Sequence, residues 1–142
     1  MLNRARRGAV ASLTVLLATS ALAQARAGQS NDDRPKLAVT ARPSVAIAPA
    51  TVRLTAELTG GANDFEDFYC PTVIWDWDDG TVSESSTDCE PYAPGVSQIR
   101  RRYTIEHRFR AGSYRVVFRL KNRGKEVAAT TVSLQIRPGA PG

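Results

Sequence analysis

The clearest pattern in the chain is alternation with a period of two. From Thr51 to Thr59, Val52, Leu54, Ala56 and Leu58 are apolar, while Arg53, Thr55 and Glu57 are polar. That period predicts a strand with one buried and one wet face. Ser113 to Lys121 repeats it, with Tyr114, Val116, Phe118 and Leu120 inward and Arg115 and Arg119 outward. Glu126 to Arg137 carries Val132, Leu134 and Ile136 inward, and Ile99 to Phe109 sets Tyr103, Ile105, His107 and Phe109 on one face. Thr72 to Trp77 puts Val73, Trp75 and Trp77 together, with Asp76 pointing away. Three weaker segments complete the set: Lys36 to Ala41, Ser44 to Ala48 between Pro43 and Pro49, and Thr81 to Glu84. The prolines mark the second of these as an edge strand.

Turn chemistry separates the segments. Gly60-Gly61-Ala62-Asn63-Asp64, Ala111-Gly112-Ser113 and Asn122-Arg123-Gly124-Lys125 are turn or corner signals. At Asp78-Asp79-Gly80 the glycine supplies positive φ and an aspartate side chain accepts turn amides. Phe65 to Tyr69 reads as an aromatic, acidic loop, and Ser85 to Ser97 as a long loop with Pro91, Pro94 and Gly95. No segment of the expected mature chain reads as a helix. About seven short strands with frequent turns predict an all-β, two-sheet antiparallel sandwich of immunoglobulin-like type.

The ends change the picture of which residues fold. Arg4, Arg6 and Arg7 precede an apolar run from Ala9 to Ala18, and Ala21-Leu22-Ala23 offers the small residues of a cleavage site. This reads as a Sec-type secretory signal over residues 1–23. The run falls short of the ~20 residues of a membrane span. Residues 24–35 are expected to be a flexible leader, 36–138 the folded domain and 139–142 a disordered tail. The Ala- and Arg-rich leader points to a bacterial source and to a secreted or periplasmic protein, with no membrane span after cleavage.

Export gives the two cysteines a meaning. Cys70 and Cys89 lie 19 positions apart in a chain bound for an oxidising compartment, and no metal-ligand spacing surrounds them. They are expected to form a disulfide that staples the long loop.

Charge bears on the partner. Loss of the three leader arginines takes the net charge from +5 to +2. The stretch from Glu57 to Glu90 holds only acidic charges, and that from Arg100 to Lys125 is basic apart from Glu106. This polarity could steer an acidic partner, or the halves could neutralise one another across the sandwich. Arg100-Arg101-Arg102 lacks interleaved stacking aromatics, so nucleic acid is not an expected partner.

Three motifs in order resemble the PKD domain family, whose members are small immunoglobulin-like sandwiches. The first is Trp75-Asp76-Trp77-Asp78-Asp79-Gly80, with Trp77 at the family's Phe position and Asp78 at its first Gly. The second is His107-Arg108-Phe109. The third runs from Gly112 through Tyr114, Val116, Phe118 and Leu120 to Asn122. The resemblance covers roughly Lys36 to Pro138. It implies structural roles for Trp75, Trp77, Gly80, His107, Phe109, Gly112 and Tyr114, and protein or carbohydrate binding at the cell envelope. Fold alone does not name a ligand.

Candidate chemistry is sparse. Tyr114, two residues past Gly112, has the placement of a tyrosine corner. His107 is the single histidine, and spacing assigns it no nucleophile, so no enzymatic activity is expected. Asp76, Asp78 and Asp79 could gather around calcium if the loop before Cys70 folded over their turn, but they lack the loop length and terminal Glu of an EF-hand. Otherwise no cofactor is expected. The expected contact surface is the two long loops, with Asp64, Phe65, Phe68, Tyr69 and Tyr92 as binding residues and Phe68 and Tyr92 as exposed aromatics. The function read from sequence is a non-catalytic interaction module, with a structural spacer of an envelope assembly as the alternative.

Overall fold

A computed structural model describes residues 33–141. These fold into eight strands and one 3-10 turn (Glu66–Phe68): β1 (Lys36–Arg42), β2 (Val45–Ile47), β3 (Ala50–Thr59), β4 (Thr72–Asp76), β5 (Val82–Ser85), β6 (Arg102–Phe109), β7 (Gly112–Asn122) and β8 (Lys125–Arg137). The expected signal sequence lies outside the described residues. So does residue 142.

The strands form two sheets. One has the order β1-β3-β6, the other β2-β8-β7-β4-β5. The all-β, two-layer reading of the sequence agrees with this. One detail departs from it: β2 runs parallel to β8, pairing Val45 with Gln135 and Ile47 with Arg137, while every other described pair is antiparallel. Pro43 and Pro49 explain the change of sheet. Neither can donate to a ladder, so the segment between them leaves β1's sheet and joins the edge of the other.

The alternation in sequence becomes the burial pattern in space. Along β3, Val52, Leu54 and Ala56 are fully buried and Leu58 nearly so, while Arg53 and Thr51 face solvent. Val116, Phe118 and Leu120 of β7 and Leu134 and Ile136 of β8 meet them from the opposite sheet. Trp75 and Trp77 lie inside, 4% and 1% exposed, their rings parallel with centroids 5.6 Å apart. Trp75 also meets Phe118 at 4.5 Å. The buried indole N–H of Trp77 donates to Ser83 Oγ at 2.8 Å, so its polar atom does not oppose burial.

Two boundaries differ from the sequence reading. The strand expected from Ile99 begins at Arg102. Before it, the amide of Ile99 donates to Asn63 O and Arg101 O accepts from Leu58 N, which draws the chain onto the 60–64 turn. Asp33 to Pro35, assigned to the leader, pack against the same turn. Asp33 O accepts from Ala62 N at 2.7 Å, Pro35 is buried, and Arg34 reaches over the rings of Phe65 and Phe68. Gly61 permits this approach, since a Cβ there would lie 2.4 Å from Asp33 O. At the other end, Gly139 lies beside the carbonyl of Ala48.

Candidate functional site

The two long loops meet at one end of the sandwich. A disulfide joins Cys70 to Cys89, with Cα atoms 6.2 Å apart. Above it Tyr69 and Tyr92 pack at 5.6 Å between centroids. Their hydroxyls are spent on the loops themselves: Tyr69 donates to Glu90 O at 2.7 Å and Tyr92 to Asp64 O. The Asp64 carboxylate accepts from Gly95 N at 2.8 Å. Arg101 donates to Gly60 O and to Asn63 Oδ1, each at 2.7 Å, and Asn122 Nδ2 donates to the carbonyls of Glu66 and Asp67. The loop end is a clasp whose polar side chains mostly bond to its own backbone.

This revises the expected contact residues. Phe68 is 1% exposed and Phe65 6% exposed. The 3-10 turn rolls both rings inward, 5.6 Å apart, to cap the core beneath the Arg34 guanidinium. An aromatic in a polar loop reads as exposed only while the loop has no known partner surface. Tyr69, Tyr92 and Asp64 remain half-buried, as internal ties.

The acidic turn is also committed. Asp76 Oδ1 accepts from Asp78 N at 3.1 Å, and Asp76 Oδ2 lies 3.8 Å from Arg119 Nη1. Asp78 Oδ2 accepts from Arg115 N at 2.9 Å. Asp79 Oδ1 accepts from both the amide and the hydroxyl of Thr81, and Oδ2 lies 2.8 Å from His107 Nε2. The three carboxylates point to three different neighbours, and among the described residues no cluster of three acidic, Cys or His side chains converges on a point. Calcium at Asp76, Asp78 and Asp79 therefore has no donor set to support it. Burial pushes the Asp79 carboxyl up, but the bonds from Thr81 and His107 outweigh it and hold the group below its ordinary 3.8.

His107 is half-buried, stacked on Trp77, and paired with Asp79. No Ser, Thr or Cys side chain among the described residues hydrogen-bonds to it, and the Thr81 hydroxyl gives its proton to Asp79 instead. The constellation holds a turn against β6. Tyr114 donates to Arg110 O at 2.9 Å and packs on Phe109 at 4.8 Å, which is the corner arrangement.

The feature that sequence reasoning missed is a groove along the open side of the sandwich. β5 ends one sheet and β6 ends the other. Between them run two adjoining hollows of about 230 and 150 Å³, sharing Val73, Ser85, Arg100 and Tyr103. Tyr69, the disulfide and Gln98 close one end, while Ser83, Glu84 and Ile105 line the other. Tyr103 is 4% exposed, and its buried hydroxyl has no hydrogen-bond partner. Burial raises its pKa above 10.0 despite the opposing pull of Arg100, so it is a donor at neutral pH. Arg100 stacks over the Tyr103 ring at 4.7 Å and donates Nε to Arg102 O, and no carboxylate among the described residues pairs with it. A larger and more open depression of about 450 Å³ lies between Val45, Asp78, Arg115 and Gln135, without an unpartnered buried polar atom.

The signal for the groove was a phenol among inward-facing apolar residues of β6. Alternation could place Tyr103 inside, but not show that its hydroxyl meets no acceptor there. No helix of the described residues is long and apolar enough to cross a membrane. The chain matches no protein-family profile, no curated protein and no solved structure.

Proposed function

We propose that this chain is an exported, non-catalytic interaction module with a PKD-like, immunoglobulin-type sandwich, contacting a protein or glycan partner at the cell envelope or outside the cell. Three things support the reading. The leader has the pattern of a secretory signal, and a disulfide fits an oxidising compartment. The motif residues interlock: Trp77 stacks on His107, His107 meets Asp79, and Phe109 packs on Tyr114. No Ser, Thr or Cys side chain among the described residues hydrogen-bonds to His107.

The single observation that carries a binding role is the groove between β5 and β6, where two sheet edges bring together an unpartnered phenol and an unpaired guanidinium. A buried polar group without a partner costs stability, so retention of the Tyr103 hydroxyl beside the exposed Arg100 favours a surface that meets something else. The internally tied loops favour the second reading, a structural spacer, for the loop end itself.

Site-specific photocrosslinking in cell-envelope extract tests the proposal. A crosslinker replaces Ser85 or Gln98 beside the groove, or Thr131 on an exposed position of β8. Adducts with discrete envelope components from any of these positions support an interaction module, and the position says which face is used. Absence of adducts from all three leaves the spacer.

A further inference from the structure

The groove carries more than a location. Its floor is Val73 and Tyr103, and its two walls are strand edges. β5 pairs only with β4, and β6 only with β3, among the described residues. An edge strand presents unpaired N–H and C=O groups, and natural sheets usually blunt such edges with Lys, Pro or a bulge. Val82-Ser83-Glu84-Ser85 carries none of these three, its protection being its four-residue length and the charge of Glu84, and Val82 is 58% exposed. This edge is fit to accept another strand.

The chemistry inside the groove then selects among partners. Stacking against a sugar ring takes an exposed aromatic face. Trp75 and Trp77 are buried, and Tyr69 and Tyr92 are half-buried and packed on each other. The Tyr103 hydroxyl, which has no partner, can donate, and beside it lies the cationic Arg100 guanidinium, which bonds to Arg102 O but pairs with no carboxylate among the described residues. Once the groove opens enough to bare that hydroxyl, a carboxylate accepts from both at once. Glu84 at the far end of the groove disfavours a second acid there.

We infer that the groove binds an extended peptide segment of a partner protein, which adds as a strand to the edge of β5 and places one carboxylate against Tyr103 and Arg100. This rests on the interaction-module reading and names its partner class. Backbone pairing along β5 supplies affinity without sequence preference, and the carboxylate fixes register. Ser85 and Gln98 line the groove around it.

The test uses two degenerate pools of short fluorescent peptides, one with a fixed central Glu and one with Gln in its place, titrated onto the chain without residues 1–23. Binding is read by polarisation, and the contact face by amide NMR shifts. The expected result is tighter binding of the Glu pool by about tenfold or more, with shifts confined to 82–85 and 100–105. Arg100→Gln abolishes the Glu preference. Tyr103→Phe is the decisive variant. It removes a buried hydroxyl that has no partner, so its melting temperature stays level or rises, yet binding of the Glu pool weakens by about tenfold. Shifts on another face, equal binding of both pools, full binding by Tyr103→Phe, or an acidic oligosaccharide that binds the groove while peptides do not would each overturn the inference. If the crosslinking above yields partners from Thr131 alone, the module reading stands and this groove assignment falls.

Discussion

The imidazole of His107 lies flat on the indole of Trp77, with centroids 4.0 Å apart and planes 3° apart, while its Nε2 sits 2.8 Å from Asp79 Oδ2. One contact ties β6 to the core tryptophan of the facing sheet. The other ties it to the turn that follows that tryptophan. Thr81 completes the arrangement by donating twice to the same Asp79 carboxylate. Residues from two separate motifs of the sequence, with Thr81, thus share one joint across the sandwich.

That joint predicts an acid sensitivity. The Asp79 carboxyl titrates below its ordinary 3.8, so the ionised form is favoured by folding. Its contribution is fully present above that ordinary value and is lost as pH falls through the lower folded value. Urea unfolding followed from neutral pH into this acid range should show a decline in wild type that Asp79→Asn flattens. Equal slopes for the two proteins would show that Asp79 is not coupled to folding.

The corner tyrosine offers a cleaner subtraction. Tyr114→Phe keeps the packing on Phe109 and removes only the bond to Arg110 O. The expected loss is about 0.5–1.5 kcal/mol in chemical denaturation, the usual net worth of one hydrogen bond.

Phe68 separates a core residue from a contact residue. With 1% of its surface exposed, Phe68→Ala should cost about 3–5 kcal/mol and lower the unfolding midpoint. A variant of wild-type stability would return Phe68 to the surface, where its polar sequence neighbours had suggested it lay.

Two neighbouring glycines make a matched pair. Gly60 and Gly61 both have positive φ, 67° and 65°, so alanine strains the backbone at either. Only at Gly61 would the new Cβ also meet backbone, 2.4 Å from Asp33 O and Pro35 N. Gly61→Ala should therefore destabilise more than Gly60→Ala and speed hydrogen exchange at Ala62, whose amide bonds to Asp33 O.

Opening the disulfide should lower stability by about 3 kcal/mol on the chain-entropy argument for a loop of this length. Denaturation of the Cys70→Ser/Cys89→Ser double variant beside the oxidised protein measures it. An unchanged midpoint would mean that the ties of Tyr69, Tyr92 and Asp64 alone hold the loops.

The sequence by itself determined the layers. Period-two alternation at Val52 to Leu58 and at Tyr114 to Leu120 can satisfy only a strand with one dry face, because successive side chains point to opposite sides of the pleat. Turn residues and prolines marked where strands stop, and the placement of Trp75 and Trp77 with Val73 followed from the same parity. What only the tertiary structure decided were relations between segments distant in the chain. The 3-10 turn could bury Phe65 and Phe68 because Arg34 and the core edge met them there. Asp79 found His107, 28 positions on, and not a metal. Tyr103, buried on β6 where that strand ends its sheet, was left without a hydrogen-bond partner. Parity is local and is written in neighbouring residues. Whether a buried hydroxyl or a carboxylate meets a partner depends on which strands become neighbours, and long-range pairing alone sets that.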